Sequence, residues 1–474
     1  MTTIKFGTSG WRGIIADEVT FHNVRVVSRA ISDYVREEGL QEKGVIVGRD
    51  CRFLGDRFAL QAAETLAGNG VKVLFSPQDV PTPVISYAII RGRAAGAINI
   101  TASHNPPEYN GIKFSPAWGG PATPEVTSRI EKRANDILIK SDAVEILEES
   151  RAKEEGLWEE IDLKDDYLAG LSERVDFDAI KKSGVKAAFD ALYGSGLGYV
   201  NRALRDHGIE YEILHDWRDP SFGGSAPDPS EVNLSELSKL VRSDKNIVLG
   251  LSTDGDADRF GVVDGDGTFI EPNYVIALLL DYLIAKRGFA GGVARSVATT
   301  HLIDAVAKYY NVPCYETPVG FKYIGSYIAE DKIAGGGEES AGFTIRGHVP
   351  EKDGIITCLL ALEMVAKTGR SIKELLEDLY KRVGEYHTRR LNLTLTRELE
   401  ETFPRKMEHP PKEFAGIPIN ERITIDGNKF VLDDGSWILL RKSGTEPVVR
   451  IYAEASDESR LKTIIDAARD FIES

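Results

Sequence analysis

The sequence is poor in cysteine and has no long uncharged apolar run. Only three cysteines occur in 474 residues, an odd number at wide spacings: Cys51, Cys314 and Cys358. These spacings exclude a disulfide framework and the usual zinc-binding patterns, and they predict a reducing, cytoplasmic setting. The apolar run YVIALLLDYLIA, residues 274–285, contains Asp281 and is too short to cross a bilayer. The N-terminus shows no signal-peptide pattern, so we expect no membrane partner.

An excess of positive charge is also missing. The formal net charge is −16, which argues against a general nucleic-acid binder but allows a local basic cleft for a small anion. A Walker A sequence is absent, which argues against a P-loop ATPase. With 42% hydrophobic and 28% charged residues, the chain is typical of soluble globular proteins. Its length predicts about three or four domains.

One strand–helix–strand pattern occurs three times. Each copy has a buried strand, an amphipathic helix and a second strand, an order that predicts parallel βαβ units with right-handed crossovers. The copies begin at GVIVGRD, GVKAAFDA and GVARSVATT. Their helices are placed at Asp56 to Asn69, within GLGYVNRALRDHG and within HLIDAVAKYYN. We therefore predict three related mixed α/β domains.

The connecting segments set the expected domain boundaries. Residues 141–166 are densely charged and are interpreted as a solvated helix leading into a boundary, with a linker as the alternative. Residues 402–419 are rich in proline and lack a clear period. After them, strand-like segments, a turn at Asp434-Gly435 and a helix from Asp457 to Ile472 predict a smaller α+β domain with antiparallel strands. The expected domains are residues 1–150, 151–265, 266–383 and 384–474.

The segment ITASHNPPEYNGIKF, residues 100–114, follows a predicted strand and has no helical or strand period. Ligands bind beyond the carboxyl ends of strands in open α/β sheets, so Ser103 and His104 lie where chemistry is expected. We interpret Ser103 as part of an exposed loop. A serine hydroxyl is a weak nucleophile unless it is activated, and no Gly-x-Ser-x-Gly elbow surrounds Ser103. Taken alone, the segment is more typical of an ordinary polar loop than of a catalytic one.

Three aspartates alternate with small residues in the segment STDGDADRFG, residues 252–261, at the end of another predicted strand. Carboxylates this close repel one another unless a cation neutralises them, and hard oxygen ligands suit Mg²⁺. We predict a metal site at Asp254, Asp256 and Asp258, with an aspartate-rich turn as the alternative. Arg259 adds a fixed guanidinium beside this site.

Two further segments offer groups for a polar ligand. The glycine-rich segment GGGEESAG, residues 335–342, is interpreted as a loop that approaches a ligand closely, with Glu338, Glu339 and Ser340 as partners for sugar hydroxyls. Lys322 is placed at the start of a helix, where its charge is unfavourable to the helix dipole and so indicates an anionic partner. A structural turn and a solvated lysine are the alternatives.

The segment RKSGTEPVVR, residues 441–450, combines an arginine, hydroxyls and backbone amides, the donors that a phosphate dianion needs. Its candidate donors are Arg441, Ser443, Gly444 and Thr445. The segment FGTSGWRG, residues 6–13, places Arg12 among glycines. Either segment could also be a structural turn.

Taken together and in order, the motifs GTSGWRG, TASHNP, DGDADR, GEESAG and RKSGTEP resemble the signatures of the α-D-phosphohexomutases, the family of phosphoglucomutase and phosphomannomutase. The resemblance covers essentially the whole chain. It implies three related α/β domains and a smaller fourth domain around one cleft, with small-molecule sugar phosphates as partners. It also implies interconversion of hexose 1-phosphate and hexose 6-phosphate through a hexose 1,6-bisphosphate, which serves as intermediate and activator.

The resemblance also implies a role for each site residue. Ser103 would carry the phosphoryl group and, with the three aspartates, would hold Mg²⁺. Glu338 and Ser340 would bind sugar hydroxyls, and the candidate donors of residues 441–445 would hold the phosphate that is not transferred. The remaining positions match residues that serve the phosphoryl site or proton transfer: Arg12, His104, Lys113, Arg259 and Lys322.

The substrate and the reaction leave alternatives open. GEESAG with TPVGFKYIG resembles phosphoglucomutases more than phosphoglucosamine mutases, in which Gln usually replaces Glu339, so glucose phosphate is the expected substrate. A phosphomannomutase or dual-specificity enzyme is the main alternative, because glucose and mannose differ in the direction of one hydroxyl. A metal-dependent sugar phosphatase using the same phosphoserine and a non-catalytic sugar-phosphate binder are further alternatives. The intact Ser103 and aspartates argue against the binder.

Overall fold

A computed structural model describes residues 3–7, 10–444 and 447–474. Four sheets follow one another along the chain, three of them mixed sheets with parallel βαβ units and the last one antiparallel. This order confirms the predicted fold class. Within the described ranges, no helix is both long enough and apolar enough to span a membrane.

The first domain contains strands β1 (Trp11–Ile14), β2 (Val45–Arg49), β3 (Val73–Phe75), β4 (Gly96–Ile100), β5 (Tyr109–Pro116) and β6 (Trp158–Glu160), and helices α1 (Phe21–Glu37), α2 (Gly55–Gly68), α3 (Thr82–Ile90), α4 (Pro124–Lys140) and α5 (Glu149–Glu154). The strand order is β1-β5-β4-β2-β3-β6. Strands β2, β3 and β4 run parallel; β5 is antiparallel to both of its neighbours, β4 and β1.

The charged segment at residues 141–166 is not one solvated helix. It contains the short α5 and strand β6, and β6 pairs with β3, so the first sheet continues past the boundary expected at residue 150. Two apolar residues draw this segment onto the domain: Ala152 is fully buried, and the Trp158 ring packs 4.9 Å from that of Phe75.

The second domain contains strands β7 (Lys186–Asp190), β8 (Glu210–Leu214), β9 (Ile247–Thr253), β10 (Phe260–Asp264) and β11 (Phe269–Ile270), and helices α6 (Lys164–Ser172), α7 (Phe177–Ser183), α8 (Val200–Asp206) and α9 (Ser235–Ser243). The strand order is β11-β10-β9-β7-β8, with β7, β8 and β9 parallel. The aspartate segment is the turn between β9 and β10. Strand β11 carries this sheet to residue 270, past the boundary expected at residue 265.

The third domain contains strands β12 (Gly292–Ser296), β13 (Cys314–Thr317), β14 (Ile333–Glu338) and β15 (Gly342–Ile345), and helices α10 (Pro272–Arg287), α11 (Leu302–Tyr309), α12 (Phe321–Ala329), α13 (Gly354–Thr368) and α14 (Ile372–Val383). The strand order is β13-β12-β14-β15. Residues 335–338 lie in β14, paired on both sides, so GGGEESAG is mostly strand rather than a loop. Only residues 339–341 form the turn.

The fourth domain contains strands β16 (His387–Thr394), β17 (Glu413–Phe414), β18 (Ile417–Ile423), β19 (Asn428–Leu432), β20 (Trp437–Lys442) and β21 (Val448–Ala455), and helices α15 (Arg397–Glu408) and α16 (Glu458–Glu473). The sheet is antiparallel, with the order β16-β21-β20-β19-β18-β17. Residues 402–408, which lack a clear period in sequence, are helical in α15. The helix continues through Pro404, and Phe403 and Met407, four residues apart, are buried on one of its faces.

The first three domains share a continuous apolar core, whereas the fourth domain is joined to them less closely. The largest buried apolar cluster runs through the second and third domains and reaches one face of the first sheet. The fourth domain has its own core. It meets the third domain through a small apolar cluster consisting of Val297, Ala298, Trp437, Leu439 and Tyr452.

Strands β1 and β5 approach too closely for a side chain at Gly111. A Cβ there would lie 2.1 Å from the Trp11 carbonyl oxygen and 2.9 Å from Arg12 Cα. Because this backbone would have to move, we expect Gly111→Ala to lower the free energy of unfolding by about 1–3 kcal/mol. A Cβ at Gly55 meets nothing closer than 3.4 Å, so Gly55→Ala is the control. Urea denaturation measures both variants, and equal stability would contradict the expectation.

Candidate active site

Ser103 lies just beyond the end of β4, in the turn that leads the chain back into β5. It is only 1% exposed, so the expectation of an exposed loop is wrong. Its φ of +54° falls in the left-handed region that residues other than glycine rarely adopt. In this conformation Ser103 Oγ donates to Asp254 Oδ2 at 2.8 Å, and His104 Nδ1 lies 3.3 Å from the same Oγ. The turn is buried because the aspartate segment of the second domain covers it.

Arg52, which follows β2, fixes the serine turn from the side of the first domain. Its buried guanidinium donates to four backbone carbonyl oxygens of the turn, those of Ser103, Asn105, Pro106 and Tyr109. Asp50 accepts from Arg52 Nε at 3.2 Å and from the Thr101 hydroxyl, which in turn accepts from Ser103 N at 2.8 Å. The sequence analysis did not single out Arg52. The available signal was its position just after a predicted strand.

The three predicted metal ligands come together at the end of β9. None of the three aspartates is more than 1% exposed, and one carboxylate oxygen of each lies within 4.8 Å of the other two. Asp256 Oδ1 and Asp258 Oδ1 have no hydrogen-bond partner within the described part of the chain. Buried carboxylate oxygens that have no hydrogen-bond partner match the ligand preference of Mg²⁺. The residues therefore fit a divalent cation.

Lysines from two other domains reach the aspartates. Lys113 Nζ lies 2.5 Å from Asp256 Oδ2 and 2.7 Å from Asp258 Oδ2, and Lys352 Nζ lies 3.1 Å from Asp258 Oδ2. Burial opposes ionisation of Asp258, but the two lysines hold its pKa below the ordinary value. Asp254 differs, because burial and the neighbouring carboxylates raise its pKa well above the ordinary value. Lys352 was not identified from the sequence.

Two arginines flank the serine turn. Arg12 lies in β1, and its Nη1 donates to Asn105 Oδ1 at 2.7 Å. Arg259 follows the aspartates; its backbone N donates to Asp254 Oδ1 at 3.0 Å. Burial lowers the pKa of His104 well below the ordinary value, and the charges of both arginines act in the same direction. Protonation of His104 is therefore disfavoured, and its ring lies beside Ser103 as a neutral imidazole.

The third domain contributes the predicted sugar-binding groups. Glu338 ends β14, is 5% exposed and accepts from Gly320 N at 2.7 Å. Burial raises the pKa of Glu338 to about 7, and the Glu339 carboxylate adds to this effect. Lys322 lies near the start of α12, as predicted, and is half-buried. Burial lowers the pKa of Lys322, and the charges of Glu338 and Asp426 act in the opposite direction. Ser340 lies in the short turn between β14 and β15.

The fourth domain presents the predicted phosphate donors at the end of β20. Arg441 Nε donates to Asp426 Oδ1 at 2.9 Å. Ser443 and Gly444 follow the strand, and Ser443 N closes the turn by donating to the Val448 carbonyl oxygen at 2.9 Å. Thr445 lies outside the described residues.

Contacts between domains bring most of these segments into one continuous site. Ser103 and Lys113 join the first domain to the aspartates of the second, and Lys352 of the third domain reaches Asp258. Val319 N of the third domain donates to Asp426 of the fourth at 3.1 Å. A hydroxyl beside buried carboxylates, with fixed cations around it, is the kind of site that phosphoryl transfer requires.

Comparisons with known proteins agree with this description. Models of the phosphoglucomutase/phosphomannomutase family match in chain order: alpha/beta/alpha domain I over residues 3–139, domain II over 165–267, domain III over 271–383 and the C-terminal domain over 392–471. The chain therefore belongs to the phosphoglucomutase/phosphomannomutase family. Members of this family are phosphohexomutases, isomerases that act by intramolecular phosphoryl transfer.

Relatives that are named for different sugar substrates have similar sequence identities to this chain. A phosphoglucomutase from Komagataeibacter xylinus is 33% identical over 99% of this chain and 90% of its own. A phosphoglucomutase/phosphomannomutase from Thermococcus kodakarensis is 30% identical over 99% of this chain and 98% of its own. A solved structure described as a candidate phosphomannomutase from Thermus thermophilus has a TM-score of 0.85 at 33% identity, covering 100% of both chains. Relatives at 30–31% identity also carry phosphoglucosamine mutase names.

We expect Mg²⁺ to stabilise the protein through the aspartates. Asp254→Asn should weaken Mg²⁺ binding because a charged ligand is lost. Without metal, the same change should raise the Tm because it relieves repulsion among buried carboxylates. Thermal unfolding with and without Mg²⁺ measures both effects. Asp266→Asn, at an exposed aspartate of the same domain that pairs with Lys373, is the control. The same Mg²⁺-induced Tm shift in both variants would argue against this site.

The pKa of Glu338 gives an expected pH dependence of stability. Its folded pKa of about 7 lies above the ordinary 4.5, so its stabilising contribution is complete below pH 4.5 and is lost as pH rises through 7. We expect a loss of about 3 kcal/mol in the free energy of unfolding from this group, absent in Glu338→Gln.

Urea denaturation at pH 5 and pH 8 measures this difference. Glu330→Gln, at an exposed glutamate of the same domain, should follow the wild type. Parallel pH profiles in wild type and Glu338→Gln would show that Glu338 titrates normally.

Proposed function

We propose that the protein interconverts hexose 1-phosphate and hexose 6-phosphate, with glucose phosphate as its substrate, through phospho-Ser103 and a hexose 1,6-bisphosphate. The observation that carries the proposal is the 2.8 Å contact of Ser103 Oγ with Asp254, beside the unpaired oxygens of Asp256 and Asp258. A phosphoryl group on this serine would lie next to a cation-binding set of carboxylates.

The reaction requires two transfers. In the first, the bond between phosphorus and Ser103 Oγ breaks, a bond forms from phosphorus to the free sugar hydroxyl, and the hydroxyl proton passes through a nearby base to Ser103 Oγ. In the second, the bond between the other phosphorus and its sugar oxygen breaks, a bond forms to Ser103 Oγ, and the serine proton passes back to that sugar oxygen, which restores phosphoserine and releases the isomer. The neutral His104 ring, 3.3 Å from Ser103 Oγ, would serve this oxygen as a hydrogen-bond partner during the transfers.

Charge stabilisation supports these transfers. Asp254, Asp256 and Asp258, together with the phosphoryl group on Ser103, would hold Mg²⁺, which when bound neutralises phosphoryl oxygens. Arg12 contacts Asn105 of the serine turn, and the charges of both Arg12 and Arg259 act on His104 beside Ser103. Positive charge placed here would stabilise the negative charge on the phosphoryl oxygens during transfer.

The substrate is held at its far end and around its ring. Arg441, Ser443, Gly444 and Thr445 would bind the phosphate that is not being transferred, in either orientation of the bisphosphate. Glu338 and Ser340 would bind ring hydroxyls. Because its pKa is about 7, Glu338 can donate as well as accept a hydrogen bond near neutral pH.

Two observations bear on the alternatives. Ser103 is 1% exposed, which limits access of water and favours transfer to a sugar over hydrolysis by a phosphatase. Glu339 accepts from the Ser296 and Thr299 hydroxyls at 3.1 and 3.2 Å, an arrangement that suits a carboxylate. The name of the Thermococcus kodakarensis relative favours a dual glucose and mannose enzyme as the second candidate.

Product analysis tests the function. Glucose, mannose and glucosamine 1-phosphates would be supplied separately, with Mg²⁺ and a hexose bisphosphate as activator. We expect the corresponding 6-phosphates as products, with the highest kcat/KM for glucose 1-phosphate. Free phosphate as the main product would instead identify a phosphatase.

Ser103→Ala should lower turnover by about 10³-fold or more, because no other group can carry the phosphoryl intermediate. Intact-mass measurement should show a phosphate-sized addition on part of the wild type and none on the variant. Ser28→Ala, at a buried serine in the same domain, is the control and should keep both activity and the added mass. Near-normal turnover by Ser103→Ala would remove Ser103 from the mechanism.

A further inference from the structure

Asp426 touches two domains with the two oxygens of one carboxylate. It lies in the turn between β18 and β19 of the fourth domain. Asp426 Oδ1 accepts from Arg441 Nε at 2.9 Å, and Oδ2 accepts from Val319 N of the third domain at 3.1 Å. The side chains of Asp426 and Arg441 are 24% and 13% exposed. The contacts are thus shielded from water on most sides.

The contact with Arg441 orients its guanidinium. Because Asp426 takes up the Nε–H, a two-pronged contact of Arg441 with a phosphate must come from the two terminal nitrogens. A guanidinium held at Nε by a carboxylate keeps a fixed plane. The phosphate that it binds is thereby fixed in direction as well as in position.

The contact with Val319 fixes the segment that leads to the sugar-binding groups. Val319 lies between β13 and α12, and the next amide, Gly320 N, donates to Glu338 at 2.7 Å. Lys322 follows two residues later and is influenced by the charges of both Glu338 and Asp426. Val319 also packs against the apolar cluster between the third and fourth domains. One carboxylate thus links Arg441 to the backbone that bonds Glu338.

We propose that Asp426 is a positioning residue for the mutase reaction: it anchors the Arg441 guanidinium to the backbone of Val319, so that the phosphate held by Arg441 is bound in a fixed direction relative to the sugar-binding groups. This inference rests on the proposed function, in which Arg441 holds the non-transferred phosphate. Asp426 does not itself contact the substrate. Its effect is exerted through Arg441.

A double-mutant cycle tests this dependence. Arg441→Ala should raise KM for glucose 1-phosphate by about 10- to 100-fold. Asp426→Asn, whose amide cannot accept at both positions, should raise it by about three- to tenfold. The double variant should match Arg441→Ala within about twofold, because Asp426 has no effect once Arg441 is absent. A purely structural role for Asp426 would instead add its own loss to that of Arg441→Ala.

Asp434→Asn is the matched control. Asp434 also precedes a glycine in a hairpin turn of the same sheet, but it contacts Ser436 and Arg460 instead. It should leave KM unchanged. Thermal unfolding reports whether each variant folds. If Asp426→Asn does not fold, Asp426→Glu, which keeps the charge but displaces the carboxylate, supplies the same cycle with the same expected result.

The outcomes separate the two proposals. A wild type without mutase activity overturns the proposed function. An active wild type in which Arg441→Ala is impaired, but Asp426→Asn behaves like Asp434→Asn, overturns the role of Asp426 alone. The same holds if the two effects multiply in the double variant.

Discussion

Burial of three adjacent carboxylates is the constraint on which the arrangement of the first three domains depends. A buried carboxylate without a partner is strongly destabilising, so Asp254, Asp256 and Asp258 need more positive charge than Arg259 of their own segment supplies. Lys113 comes from β5 of the first domain, and Lys352 comes from the segment before α13 of the third. The two lysines can reach the aspartates only when all three domains are in place, which ties the site to the continuous apolar core that these domains share.

The fourth domain is attached by a different kind of contact. Lys429 is fully buried between the domains, donating to the Val297 carbonyl oxygen at 3.1 Å and to Glu316 at 2.9 Å, with its ammonium 4.3 Å from the Trp437 ring centre. Burial lowers the pKa of Lys429 to about 8. Polar contacts around a small apolar patch are typical of interfaces between domains that move relative to one another. Such an interface suits a domain that must close over a substrate and release it.

The sequence predicted the features that depend on local order and missed those that depend on distant contacts. The βαβ units and the turn at Asp434-Gly435 follow from periodicity and turn chemistry over short windows. The helical residues 402–408 were missed because their burial comes from packing within the fourth domain, and the strand at residues 335–338 because glycines hide a strand pattern. Lys352 meets Asp258 across 94 residues of chain, a pairing for which a single sequence holds no signal.

The backbone at Ser103 shows why the serine turn needs its own support. A φ of +54° at a residue other than glycine persists only where the surroundings determine it more strongly than local preference does. Arg52 supplies that support by bonding the carbonyl oxygens of the turn, and Thr101 by accepting from Ser103 N. Phosphoryl transfer depends mainly on positioning and charge stabilisation, so a serine held this firmly toward the aspartates has most of its transfer geometry before any substrate binds. In the proposed cycle, the bisphosphate is then the component that must change its orientation between the two transfers.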